Sequence, residues 1–154
     1  MPDYLKILIP SGIGLVTTIL AAFLSARWAV RRAFEERWWG RKEQTYTEII
    51  EALHDLIRYS SLCAEEYLSQ ENEHPKKKEF GEKYSEAYWK IQKMTDIGAF
   101  VISDEASHIL NKLRDKPRLD WNENPPWEIY EADCMHYREA LAGIRKCAKT
   151  DLKV

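Results

Sequence analysis

Apolar positions recur along most of this chain at three- and four-residue spacing, and nothing in it alternates as a strand would. Tyr46, Ile49, Ile50, Leu53, Ile57, Ser60, Ala64 and Tyr67 form one stripe, while Glu48, Glu51, Asp55, Arg58 and Glu65 lie elsewhere around the axis. The stretch from Arg27 to Leu68 has no proline and one glycine, Gly40, which predicts a helix running on from the apolar segment before it. The polar stretch Ser69 to Lys78, with Pro75 and three consecutive lysines, ends that helix. A second helix is predicted over Glu79 to Val101, with Phe80, Tyr84, Ala87, Tyr88, Ile91, Met94 and Ile97 as its apolar stripe. Ser103 is a good N-cap for a short third helix, in which Asp104 and Glu105 suit the positive end and Ala106, Ile109, Leu110 and Leu113 face inward. Pro117 closes it. Lys116 to Pro126 holds three prolines and two asparagines and reads as an irregular surface loop, with Trp121 pinned against the bundle. The last helix, Trp127 to Lys149, carries Tyr130, Cys134, Tyr137, Leu141, Ile144 and Ala148 along one seam. Such a set of amphipathic helices with short connections predicts an all-α antiparallel bundle.

The amino-terminal segment departs from this amphipathic pattern. Ile7 to Ala26 carries no charge, and as a helix it is about 30 Å long, the thickness of a bilayer's hydrocarbon core. The sequence therefore predicts a transmembrane helix over residues 4–30, a basic and aromatic juxtamembrane segment over 31–45 and a helical domain over 46–150. Arg27, Arg31, Arg32, Arg37, Arg41 and Lys42 follow the run, whereas Lys6 and the amino terminus precede it. The positive-inside rule then puts the amino terminus outside and the carboxy-terminal domain in the cytoplasm. A cleaved signal peptide fits less well, because the run is long for that purpose and a dense arginine cluster follows it directly.

Composition excludes more than it selects. A net charge of −2 from 23 basic and 25 acidic residues gives no global field to attract nucleic acid. Cys63, Cys134 and Cys147 are an odd count without metal-like spacing and read as reduced core residues. His54, His74, His108 and His136 have no ligand at metal-binding spacing; His54 and His136 lie beside apolar faces and could meet across the bundle. No phosphate loop, nucleophile elbow or kinase signature is present, so neither a cofactor, a metal nor a catalytic residue is expected.

Small residues at four-residue intervals, Gly14, Thr18, Ala22 and Ala26, form a face suited to close helix contact and predict a homo-oligomer. In a ring of such helices Ser11, Thr17 and Ser25 would line a passage. Arg27, Trp28, Arg31, Arg32, Trp38 and Trp39 suit the lipid interface better than a nucleic-acid patch, since both residue types are enriched at headgroup depth.

The stretches WWGRKEQTYTEIIEALHDLIRY (Trp38 to Tyr59) and IGAFVISDEASHIL (Ile97 to Leu110) resemble uncharacterised small bacterial proteins with one membrane helix and a helical cytoplasmic domain. More distantly, the architecture is similar to that of membrane-anchored accessory proteins of type VI-B CRISPR systems. That likeness implies a bacterial inner-membrane oligomer acting as a pore-like effector in anti-phage defence. HEPN ribonuclease domains, to which such accessory proteins are related, use an Arg followed by four to six residues and a His; no histidine here is preceded by that spacing, which argues against RNA cleavage. The alternative expectation is a membrane-tethered adaptor for a cytoplasmic protein partner, with the loop from Lys116 to Trp127 as its contact surface.

Overall fold

The computed structural model describes residues 3–69, 74–98 and 100–153, with the side chains of the first helix described from Leu20 onward. Four α-helices follow one another: α1 Asp3–Ser69, α2 Lys77–Gly98, α3 Asp104–Arg114 and α4 Pro126–Leu152. Among the described residues there is no strand. The chain divides into two compact units, residues 1–40 and 41–154.

In the second unit the helices pack as an antiparallel bundle. Tyr46 of α1 meets Asp151 of α4, and Ser61 meets Cys134, so α4 runs back along α1. Glu48 pairs with Lys90 and Glu66 with Lys77, which sets α2 antiparallel to α1 as well. The short α3 lies antiparallel to α4, with Lys112 beside Glu139 and Ile109 against Gly143. The helices approach closely there: a Cβ at position 143 would stand 2.8 Å from Ile109 Cδ1.

The buried stripe of α1 is Tyr46, Ile49, Leu53, Leu56, Ser60 and Cys63, with Ala52 and Ala64 beside it. Its alternating steps of three and four keep one line of side chains on the bundle axis. Ile50 and Ile57, expected in the stripe, are half-buried at its margin, and Tyr67 is exposed beyond the last full turn of contact. In α2 the buried positions are Phe80, Ala87, Ile91, Thr95 and Gly98. Ile97 is exposed, because the buried line of α2 runs through Ala87, Ile91, Thr95 and Gly98 and helical spacing sets position 97 off it; α2 ends at Gly98, short of the expected Val101. The α4 seam, Cys134, Tyr137, Leu141, Ile144 and Ala148, is buried as expected, with Ile129 at its start and Cys147 added near its end. All three cysteines are buried free thiols. Ser60 Oγ is buried without a hydrogen-bond partner among the described residues.

Ser103 caps α3, its hydroxyl accepting from Ala106 N at 3.5 Å. The same residue joins the start of α3 and the end of α4 to α1 at Tyr46. Tyr46 OH donates to Asp151 Oδ2, Ser103 N donates to the same oxygen at 3.2 Å, and Lys42 Nζ lies 3.4 Å from it. Burial opposes the Asp151 charge, but these donors outweigh it and hold the carboxyl below its ordinary range. Burial and the adjacent carboxylate push the Tyr46 phenol up to about 12.

The membrane-spanning helix expected over residues 4–30 is corrected: among the described residues no helix is long and apolar enough to cross a membrane. Residues 4–19 of the expected span lie outside the described side chains. Within the described part of the apolar run, Leu20 to Ala26 is followed at once by Arg27, and then by Arg31, Arg32, Glu35, Glu36 and Arg37. No stretch of about 20 apolar residues, the length a span requires, is left there. Ser11, Gly14, Thr17 and Thr18, and with them most of the expected oligomer face and passage lining, lie outside the described side chains. Ser25 is described; its hydroxyl donates to Ala21 O at 2.8 Å and is satisfied within its own helix.

Two outcomes test this packing. Leu53→Ala, at a fully buried side chain, lowers stability by about 2–5 kcal/mol, whereas Ile97→Ala at the exposed margin changes it by less than about 0.5 kcal/mol, both read from urea unfolding of the whole chain. Asp151 has a depressed carboxyl, so its contribution is complete above the unfolded value near pH 4 and is lost as pH falls through the lower folded value. Thermal melts should therefore show Asp151→Asn destabilised at neutral pH, with the gap from wild type closing in acid.

Candidate functional site

Two surfaces of the described chain carry features that packing alone leaves unfinished. The first is a cleft in the bundle, built by α4, the α1 and α2 rings beside it, and the segment 115–125. On α4 the inward seam holds Tyr130, Cys134 and Tyr137, and helical spacing sets Asp133 and His136 on its flank, toward that segment.

The segment itself is folded by Asp120. Its carboxylate accepts from Asn122 N at 2.8 Å and Asn122 Nδ2 at 3.0 Å, and its carbonyl accepts from Asn124 N at 3.0 Å. Asp and Asn form such local turns because their short side chains reach the backbone two residues on. Pro125 and Pro126 then start α4, where a missing N–H costs nothing. This turn presents Arg118 and Trp121 to the bundle.

Tyr59, Gly81, Tyr84, Arg118, Trp121, Ile129, Tyr130 and Asp133 line a hollow of about 270 Å³. Its rings stand at steep angles to one another: Tyr59 to Tyr130 is 6.3 Å between centroids at 83°, and Trp121 to Tyr130 is 5.5 Å at 78°. Tyr59 and Tyr84 pack at 4.8 Å. A smaller adjoining hollow of about 50 Å³ shares Arg118 and Asp133 and adds His136 and Tyr137. The Tyr84 and Tyr137 hydroxyls bond to each other at 3.2 Å.

The electrostatics of the cleft are unusual for a bundle flank. Burial pushes the Asp133 carboxyl up, opposed by the positive Arg118 and His136. Asp133 has no hydrogen bond or ion pair among the described residues. Arg118 places its guanidinium 5.0 Å from the Tyr88 ring centroid and likewise has no ion pair. The two charges feel each other without touching. Burial also lowers the His136 imidazole and pushes Tyr59 up to about 12, and it raises the Cys63 thiol beneath the tyrosines.

The second surface is the described part of the first unit. Phe23, Val30 and Phe34 are 62, 71 and 71 % exposed, Trp28 is 77 % exposed, and Leu20, Leu24, Trp38 and Trp39 are also open. Ala22 and Ala26, expected to face another helix, are exposed, and helical spacing continues their line through Ala29 and Ala33. Arg31 bonds to Glu35 at 3.1 Å and Arg32 to Glu36 at 3.2 Å.

His54 is exposed, and no hydrogen bond or ring contact joins it to His136 among the described residues. The expected contact loop is brought to the cleft through Arg118 and Trp121. Asp133 escaped sequence analysis because a single acidic residue beside a seam looks like any solvated helix position; its place next to Cys134 is the only hint. No group of His, Cys, Asp and Glu that could hold a metal occurs among the described residues.

A carboxylate held above its ordinary value costs stability when ionised, and that cost fades as pH falls toward the unfolded value near 4. Asp133→Asn should therefore raise the melting temperature at neutral pH, with the advantage shrinking in mild acid; a melting temperature at or below wild type would contradict the cleft's electrostatics.

No family model matches the chain, and neither a curated protein nor a solved structure does, so its function is read from the chemistry of these two surfaces.

Proposed function

We propose that this protein is an oligomeric adaptor without catalytic activity: residues 20–40 join copies of the chain, and the bundle offers a recognition surface at the cleft beside residues 115–125. The pore reading required a membrane-spanning helix, and none is found among the described residues, so the adaptor reading is the one developed.

The observation that carries it is the exposure of large apolar side chains around residues 20–40. Leu20, Phe23, Val30, Phe34 and Trp38 fall within one narrow arc of the helix, and the small residues Ala22, Ala26, Ala29 and Ala33 follow another. A helix that is apolar on more than one face is ordinarily covered. Burying one Val, Leu or Phe side chain is worth about 1.5–3 kcal/mol. Covering such side chains on two helices at once works against the about 4–15 kcal/mol that association costs in lost freedom.

Charge favours a second copy as the cover. Glu35 and Glu36 engage Arg31 and Arg32, so part of the segment's positive charge is offset where two copies would meet. The small-residue line allows close backbone approach, and the aromatic arc supplies buried area.

Sedimentation velocity on the full chain tests the assembly. Wild type should associate in a concentration-dependent manner, and Val30→Glu or Phe34→Glu should weaken association by about tenfold or more while leaving the melting of the bundle unchanged. A chain that stays monomeric at high concentration, or an assembly indifferent to both substitutions, contradicts the proposal.

A further inference from the structure

We infer that the aromatic cleft is a binding site for a small zwitterion, with an alkylated ammonium group at one end and a carboxylate or phosphate at the other. The inference is independent of how the chains assemble.

Opposite charges that share a cleft without pairing are the starting point. Arg118 and Asp133 both line the hollow of about 270 Å³ and its smaller neighbour, yet neither has an ion pair among the described residues. A cation alone would meet Asp133 but be repelled by Arg118, and an anion alone would face the reverse problem. A neutral apolar molecule would strip water from both charges and return nothing, a costly outcome for ionised groups. A ligand carrying both charges satisfies the two together.

The walls select the kind of cation. Ring faces are electronegative and attract a positive group, and four of the residues lining the hollow, Tyr59, Tyr84, Trp121 and Tyr130, are aromatic. A primary ammonium needs three acceptors for its N–H groups. Asp133 is the one carboxylate among the lining residues and meets the charge of such a group. An alkylated ammonium has few or no N–H groups to satisfy and presents methyl groups to the aromatic walls. Arg118 then takes the anionic end, for which its planar fork of donors is suited. Size agrees: the hollow falls below the about 300–1,000 Å³ of clefts that take drug-sized molecules.

Free zwitterions and lipid headgroups share this chemistry. The test is isothermal titration of the full chain with trimethylglycine and with phosphocholine, alongside glycine and choline, and cosedimentation with phosphatidylcholine vesicles. At least one of the two zwitterions should bind saturably with a dissociation constant near or below about 1 mM, and glycine and choline should bind about tenfold more weakly or worse. Asp133→Asn, Arg118→Gln and Trp121→Ala should each weaken binding by about tenfold, with helical circular dichroism confirming that all three fold. Vesicle binding that the same substitutions abolish identifies a lipid headgroup as the source; binding of the soluble zwitterion without vesicle binding identifies a free one. Saturable binding by neither zwitterion, choline binding as tightly as phosphocholine, or affinities unchanged by Asp133→Asn and Arg118→Gln would overturn the inference.

Discussion

The bundle depends on one seam. Tyr46, Ile49, Leu53, Leu56, Ser60 and Cys63 descend α1 in steps of three and four, and the matching line of α4 packs against it from Cys134 to Ala148. Two helices that bury such lines against each other have one register available, because a shift of a single residue rotates each stripe by about 100° and brings charged neighbours inward. That register sets the rest. It brings Asp151 to Tyr46 and Ser103, tying the end of α4 and the start of α3 to α1, and it turns the Asp133 flank of α4 toward the loop that follows α3.

Most of the fold was legible before any coordinates, and the reason is periodicity. The α4 seam from Cys134 to Ala148 and the Ser103 cap emerge as expected, because long amphipathic patterns and N-cap chemistry are local signals, whereas Tyr130, expected at the start of the seam, is half-buried and Ile129 is buried instead. The α1 stripe was read one position too wide. Ile50 and Ile57 are hydrophobic but sit at its margin, while Leu56 and Cys63 hold the axis; hydrophobicity alone does not say which of two adjacent lines faces the neighbour. Sequence could not supply the cleft, since it depends on loop residues Arg118 and Trp121 meeting Asp133 across a turn folded by Asp120. The expected membrane span falls largely on residues 4–19, outside the described side chains, and the described residues from Leu20 onward hold no helix apolar enough to cross a membrane.

The two unfinished surfaces are of different kinds. In the first unit, large apolar side chains stand open on a helix whose arginines are partly offset by Glu35 and Glu36, a composition that calls for a cover of protein more than for a counter-charge. In the bundle, the excess is electrostatic. Asp133 and Arg118 line an aromatic-walled hollow, and burial there makes the Asp133 charge costly to stability. An adaptor needs both a means of gathering copies and a place to recognise something, and these surfaces are separate along the chain.

Hydrogen exchange over residues 20–40, followed as a function of protein concentration, tests the central claim most directly, because a lone helix exposed on all sides frays and exchanges quickly while a covered one does not. The account predicts protection of these amides that rises with concentration, alongside concentration-independent protection of Tyr46 to Cys63. Rapid exchange over residues 20–40 at every concentration would contradict it.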